Sequence, residues 1–225
     1  MKPTVYVVLD IETTFREQLA FDVAWSTIDR NGKEYGNGSY LISEVIKKDV
    51  PFYKDKWPQY TEDLAFGKIE LISIRELKKV FNAHINQLAD SGHKVVLCAY
   101  NARFDFTHLP KTYNLFTEDQ ETDFIEREFD IMCIWDLWGQ SVPKSYDAGY
   151  TASGKFLSTS AESAYRWEMQ QFDFEEMHIA WHDVEIEKEI LLCALKRKKR
   201  RPIVQNKDNL RSDVWRQINI RCNVI

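Results

Sequence analysis

The sequence predicts an α/β fold, a mixed five-stranded sheet flanked by helices, and three observations carry that prediction. Val5-Tyr6-Val7-Val8-Leu9 is an apolar run of strand length, and the β-rich runs Leu19 to Ile28 and Tyr35 to Ile42 flank Asn31-Gly32, a strong hairpin signal. Farther on, an amphipathic helix with signals at both ends feeds a second apolar run, Lys94 to Tyr100. A hairpin next to a strand–helix–strand crossover makes a mixed sheet, because a crossover joins parallel neighbours.

The first strand ends in Asp10-Ile11-Glu12-Thr13-Thr14. Side chains alternate faces along a strand, so the carboxylates at 10 and 12 project from the same side. Like charges held together favour a cation between them, and hard divalent ions such as Mg2+ or Mn2+ take oxygen ligands. Alone, the pair is better read as a strand ending in solvated acids, because D-x-E is a common tripeptide.

At the hairpin, Asn-Gly suits a turn whose two central residues both take positive φ, and the expectation is three antiparallel strands. Ser43 to Ile72, with Lys54, Lys56, Trp57, Tyr60 and Phe66, has no steady period and reads as a long connection. Its aromatic and basic residues could stack on bases or pack over the sheet edge. In Ser73 to Ala89, Leu77, Val80, Phe81, Ile85 and Leu88 recur at helical spacing, Ser73 with Glu76 makes a capping box, and Gly92 follows the end.

Lys94 to Tyr100 barely alternates, as expected of a central strand parallel to the first. It runs into Asn101-Ala102-Arg103-Phe104-Asp105. Ligands gather beyond the carboxyl ends of parallel strands, so Asp105 falls at the same rim as Asp10 and Glu12. Phe129 to Met132 is a short fifth strand, Cys133 to Trp138 begins a helix, and Gly139 to Ser158 reads as an irregular or hairpin insertion with a turn at Gly154. Thr159 and Glu162 make a second capping box for a helix to about Gln170.

Met177-His178-Ile179-Ala180-Trp181-His182-Asp183 leads into the last long helix. At 100° per residue His178 would lie about 140° from Asp183 on a continuous helix, so His178 belongs on the preceding loop or first turn. Ala180 lets the helix approach the sheet closely, and His182 is the outward neighbour.

Composition sets the frame. At 225 residues with 44% hydrophobic and 13% aromatic residues, the chain can bury one sizeable core. No apolar run approaches a membrane span and no signal-peptide pattern opens the chain, which predicts a cytoplasmic protein with no membrane partner. Cys98, Cys133, Cys193 and Cys222 form no C-x-x-C pair and read as packed thiols. The net charge of -5 hides an asymmetry: residues 196–225 hold ten Lys or Arg against Asp208 and Asp213, a net of +8 that leaves -13 for the rest. The run Lys196-Arg197-Lys198-Lys199-Arg200-Arg201 exceeds what a helix dipole calls for and favours phosphate contacts or partner docking.

In order and spacing, Asp10-x-Glu12-Thr13-Thr14, Asn101-x-x-Phe104-Asp105 and His178-x-Ala180-x-x-Asp183 resemble the three motifs of the DEDDh exonuclease family, which includes the proofreading epsilon subunit of bacterial DNA polymerase III. The resemblance implies a ribonuclease H-like fold and 3'-to-5' removal of nucleoside 5'-monophosphates by two Mg2+ or Mn2+ ions. It further implies that Asp10, Glu12, Asp105 and Asp183 are metal ligands and that His178 is the proton acceptor. Thr13, Thr14, Asn101 and Phe104 would bind the substrate. The His178 imidazole suits the role of proton acceptor near neutral pH, and nearby carboxylates would raise its pKa.

Two departures stand out: Phe15 where members often have Gly, and Phe21-Asp22-Val23-Ala24 where they often have an I-E-x-G run. On this reading residues 1–201 form the exonuclease domain with an insertion at about 111–160, and 202–225 are a tail or short helix. The expected partner is nucleic acid with a free 3' end, DNA favoured, with a polymerase or replication protein as a further partner. An exoribonuclease, or a polymerase-associated binding module with little catalysis, are the alternatives.

Overall fold

The computed structural model describes residues 2–48, 54–117, 123–197, 214–222 and 224. The mixed α/β sheet expected from the sequence is present, with six strands among the described residues rather than five, in the order β4-β3-β2-β1-β5-β6. β1 (Thr4–Thr13) pairs antiparallel with β2 (Ala20–Asp29) and parallel with β5 (Lys94–Ala99). β3 (Glu34–Ile42) is antiparallel to β2, while β4 (Glu70–Ile72) and β6 (Asp130–Cys133) add parallel edges, so β2 alone runs against the others.

Period-two alternation along β1 divides the core. Val5, Val7, Leu9 and Ile11 face one layer with Leu77, Phe81 and Ile85 of α3 (Ile74–Asp90) and Leu109 and Tyr113 of α4 (Ala102–Thr117). Tyr6 and Val8 face the other layer, with Leu137 and Trp138 of α5 (Ile134–Ser141) and Val184, Leu191 and Ala194 of α7 (Ala180–Arg197). Each such large apolar side chain, once buried, contributes about 1.5–3 kcal/mol relative to exposure. The same alternation puts Asp10 and Glu12 on the α7 side of the sheet.

The capping box of α3 forms as expected: Ser73 Oγ accepts the Glu76 amide and Glu76 accepts the Ser73 amide. Other expectations need correction. The hairpin loop is Arg30-Asn31-Gly32, closed by Asp29 N–H donating to Lys33 O at 2.9 Å, and only Gly32 has positive φ, at 82°. A three-residue loop needs a single left-handed position, which glycine takes without steric cost.

Ser43 to Ile72 is not one long connection. It holds α1 (Ser43–Lys48), a 3-10 turn at Lys54–Lys56, α2 (Trp57–Ala65) and β4, elements too short or too mixed in face to give a readable period. The N-cap of α6 (Ala161–Met169) is Ser160, whose side chain accepts the Ser163 amide, so the helix is capped one residue later than the expected Thr159 and by a single bond rather than a box.

Residues 111–160 hold the end of α4, β6 and α5 as well as an irregular stretch pinned to the core, where Tyr100 Oη donates to Thr159 O and Tyr146 Oη to Ser158 O. α5 runs through Gly139, against which Val214 and Ile218 of α8 (Val214–Arg221) pack. The expected boundary at 202 and the basic residues 198–201 lie outside the described residues. Arg197 is committed to Glu168, with Nη1 at 2.7 Å from Oε2. Among the described residues the four cysteines are free thiols, and no helix is long and apolar enough to cross a membrane.

Candidate active site

Three elements converge at the carboxyl ends of β1 and β5. β1 delivers Asp10 and Glu12 on one face, and its register against β2 slips between Glu12 and Thr13. Such a bulge re-aims the side chains next to it. α4 starts directly after β5, with Asn101 O accepting the Phe104 amide at 2.7 Å, which sets Asp105 in its first turn. α7 begins at Ala180, so Asp183 also lies in a first turn, where a carboxylate is favoured by the helix dipole. His178 stands just before that helix at φ 53°, a left-handed conformation uncommon for a residue with a side chain.

Ligand atoms of Glu12, His178 and Asp183 all lie within 4.8 Å of one another. Asp10 and Asp105 border this group through charge: Asp10 feels Glu187, Asp105, Asp183 and Glu12, and its buried Oδ2 has no hydrogen-bond partner. Burial, then mutual repulsion, holds these acids protonated far above the usual carboxylate range. Glu12 is pushed up to about 9 by burial and by Asp183, Asp22, Glu176 and Asp105, and Asp183 to about 8 by burial, Glu176 and Asp22. Asp105 rises to about 8 by burial, while its own amide and that of Ile11 pull the other way. An orphaned buried oxygen, a ring of oxygen donors and one imidazole fit hard divalent cations.

His178 departs from expectation in one respect, since its pKa is lowered. Burial and then Lys56 depress it, outweighing Glu162 and Asp55. His178 Nδ1 lies 4.0 Å from Glu176 Oε2. His182 is outside the cluster and stacks on Trp181.

The expected substrate residues differ in what they present. Thr13 and Thr14 are buried, and Thr14 Oγ1 accepts the Leu19 amide at 3.2 Å, so its hydroxyl holds the turn after β1. Asn101 is exposed at the rim. Phe104 is half-buried with its ring 4.5 Å from that of His108.

Three acids were missed. Glu187 is buried one turn beyond Asp183, accepts the Tyr100 amide at 3.2 Å and is raised well above the carboxylate range by burial and by Asp105 and Asp183. Its i, i+4 spacing from Asp183 was the available signal. Glu176 is pushed up to about 7 by burial and Glu162. Asp22, opposite Glu12 in the β1–β2 register, rises to about 7 by burial, against hydrogen bonds from the Ala180 amide and Tyr60.

No protein-family model and no curated protein sequence matches the chain. Solved structures do. Exonuclease X in complex with 5' overhanging duplex DNA aligns at 16% identity and TM-score 0.50, over 88% of this chain and 95% of that one. E. coli Exonuclease I in complex with a dT13 oligonucleotide aligns at 15% identity and TM-score 0.48, over 86% of this chain and 41% of that one, so this chain spans less than half of Exonuclease I. At these identities the likeness is one of architecture: the chain has the ribonuclease H-like α/β fold that Exonuclease X also has.

Proposed function

We propose that the protein is a metal-dependent 3'-5' exonuclease that releases nucleoside 5'-monophosphates from single-stranded or frayed DNA 3' ends. The observation that carries this reading is the convergence of Glu12, His178 and Asp183 within 4.8 Å beside Asp10 and Asp105, from three stretches far apart in sequence. Asp10, Glu12, Asp105 and Asp183 would hold two Mg2+ or Mn2+ ions. Such ions supply charge relief at a phosphodiester and make water acidic enough to deprotonate at neutral pH.

The protein's own groups do the rest. His178, kept neutral at pH 7 by burial, takes the proton from the attacking water at a ring nitrogen. Burial of the carboxylates keeps bulk water from screening them. On the substrate side, Asn101 offers an exposed amide and Phe104 a ring, Thr14 fixes the turn after β1, and Thr13 would meet the substrate beside it. Exonuclease X, whose complex with overhanging duplex DNA has the same fold, supports a nucleic-acid substrate.

The test is an end-labelled assay. Oligonucleotides labelled at the 3' or the 5' end, as DNA and as matched RNA, are incubated with Mg2+, Mn2+ or chelator. Label should leave the DNA 3' end first and only with metal. Loss from the 5' end overturns the polarity, RNA-only cleavage replaces the substrate, and tight metal-independent binding without product makes the chain a binding module.

A further inference from the structure

Tyr60 of α2 is fully buried, and its hydroxyl donates to Asp22 Oδ2 at 2.8 Å. The same oxygen accepts the backbone amide of Ala180, the first residue of α7, at 2.9 Å. One turn along α2, Asp63 accepts the indole N–H of Trp181 at 3.1 Å and is itself held by Gln59 and Lys68. Two successive residues at the start of α7 are therefore tied to α2, each through a buried carboxylate.

These ties bear on His178, two residues before Ala180. Its left-handed backbone is strained for a residue with a side chain and persists only where the surroundings impose it. The relaxed alternative is a helix continued backward through Ile179 and His178, which would turn the imidazole about 140° away from the face of Asp183. Asp22 opposes that rearrangement by taking the Ala180 amide, which a longer helix would direct at a backbone carbonyl one turn earlier. Tyr60 in turn holds that same Asp22 oxygen in place.

We infer that Tyr60 and Asp22 are positioning residues for His178, and that α2 serves as the brace that holds the imidazole over Glu12 and Asp183. The inference rests on the reading of His178 as proton acceptor in phosphodiester hydrolysis. It gives α2 a role in the reaction although none of its residues belongs to the carboxylate cluster.

Tyr60→Phe is the informative variant, because it removes one hydroxyl and keeps the ring packed edge-on against Phe21. We expect kcat to fall about tenfold with KM unchanged, short of the roughly hundredfold cost of a group misplaced by about 1 Å. In a His178→Ala background the same substitution should cost nothing further. The histidine ring signals of the metal-free protein, assigned with His178→Ala, should show the His178 resonance displaced in Tyr60→Phe and in the companion variant Trp181→Phe, which breaks the Asp63 tie instead. An equal fractional loss in both backgrounds, or an unmoved His178 resonance in both variants, overturns the inference. If the wild-type protein shows no metal-dependent hydrolysis, the nuclease reading fails, and the ring signals alone decide whether α2 braces His178.

Discussion

Asp183 and Glu187 lie one helical turn apart on α7, and the charges of both act on Asp10 across the layer between helix and sheet. With Glu12 and Asp105 they concentrate negative charge in a buried rim. That arrangement costs stability unless protons or cations occupy it.

The first consequence is a pH dependence. Glu12 moves from 4.5 to about 9, and Asp105 and Asp183 from 3.8 to about 8, so over those ranges the folded protein binds more protons than the unfolded chain. Stability is then fully present below the unfolded values and is lost as pH rises through the folded ones. Thermal unfolding of chelator-treated protein should show Tm falling between about pH 5 and pH 9, with Mn2+ restoring it most at the alkaline end. A Tm that is flat across this window, or indifferent to Mn2+ at the alkaline end, contradicts the site.

The second concerns the C-terminal helix. A Cβ at Gly139 would run into Val214 Cγ2, and Ile218 Cδ1 lies 3.3 Å from the same position. Gly139→Ala should destabilise by about 1–3 kcal/mol in urea unfolding, as overpacked contacts do. Unchanged stability would mean that α8 does not dock on α5.

The third separates structure from nucleic-acid contact in the basic end. Arg197 is bonded to Glu168, which also accepts the Trp138 indole N–H at 2.7 Å. Arg197→Ala should lower stability by about 1–3 kcal/mol, because it strips a partner from a largely buried carboxylate. The slope of log binding constant against log salt for single-stranded DNA should stay unchanged, whereas each lost phosphate contact would reduce it by about 0.7. A reduced slope in Arg197→Ala would place this residue on the nucleic acid.

How much was legible depends on the range of the interaction involved. The capping box at Ser73 and Glu76 is local, and so is the alternation that puts Asp10 and Glu12 on one face; both could be read from neighbouring residues. The order of the motifs placed Asp105, His178 and Asp183 near that face. Asp22 escaped because its partners, Tyr60 and the Ala180 amide, lie far along the chain, and the run around it was read only as a departure from the family pattern. α1, α2 and β4 escaped for another reason. They cover an edge with mixed faces, so neither a period of two nor one of 3.6 develops. The direction of the His178 shift was misjudged because nearby carboxylates were weighed and the burial of the ring itself, the larger effect, was not.

The most direct test of the central claim is the identity of the first product released from a 3'-labelled single strand, followed by mass spectrometry with Mn2+ for the wild-type protein and for Asp10→Asn. The expected result is nucleoside 5'-monophosphate released one at a time by the wild type, and a rate at least about a hundredfold lower in the variant. Nucleoside 3'-monophosphates, longer oligonucleotides as first products, or undiminished release by Asp10→Asn would contradict it.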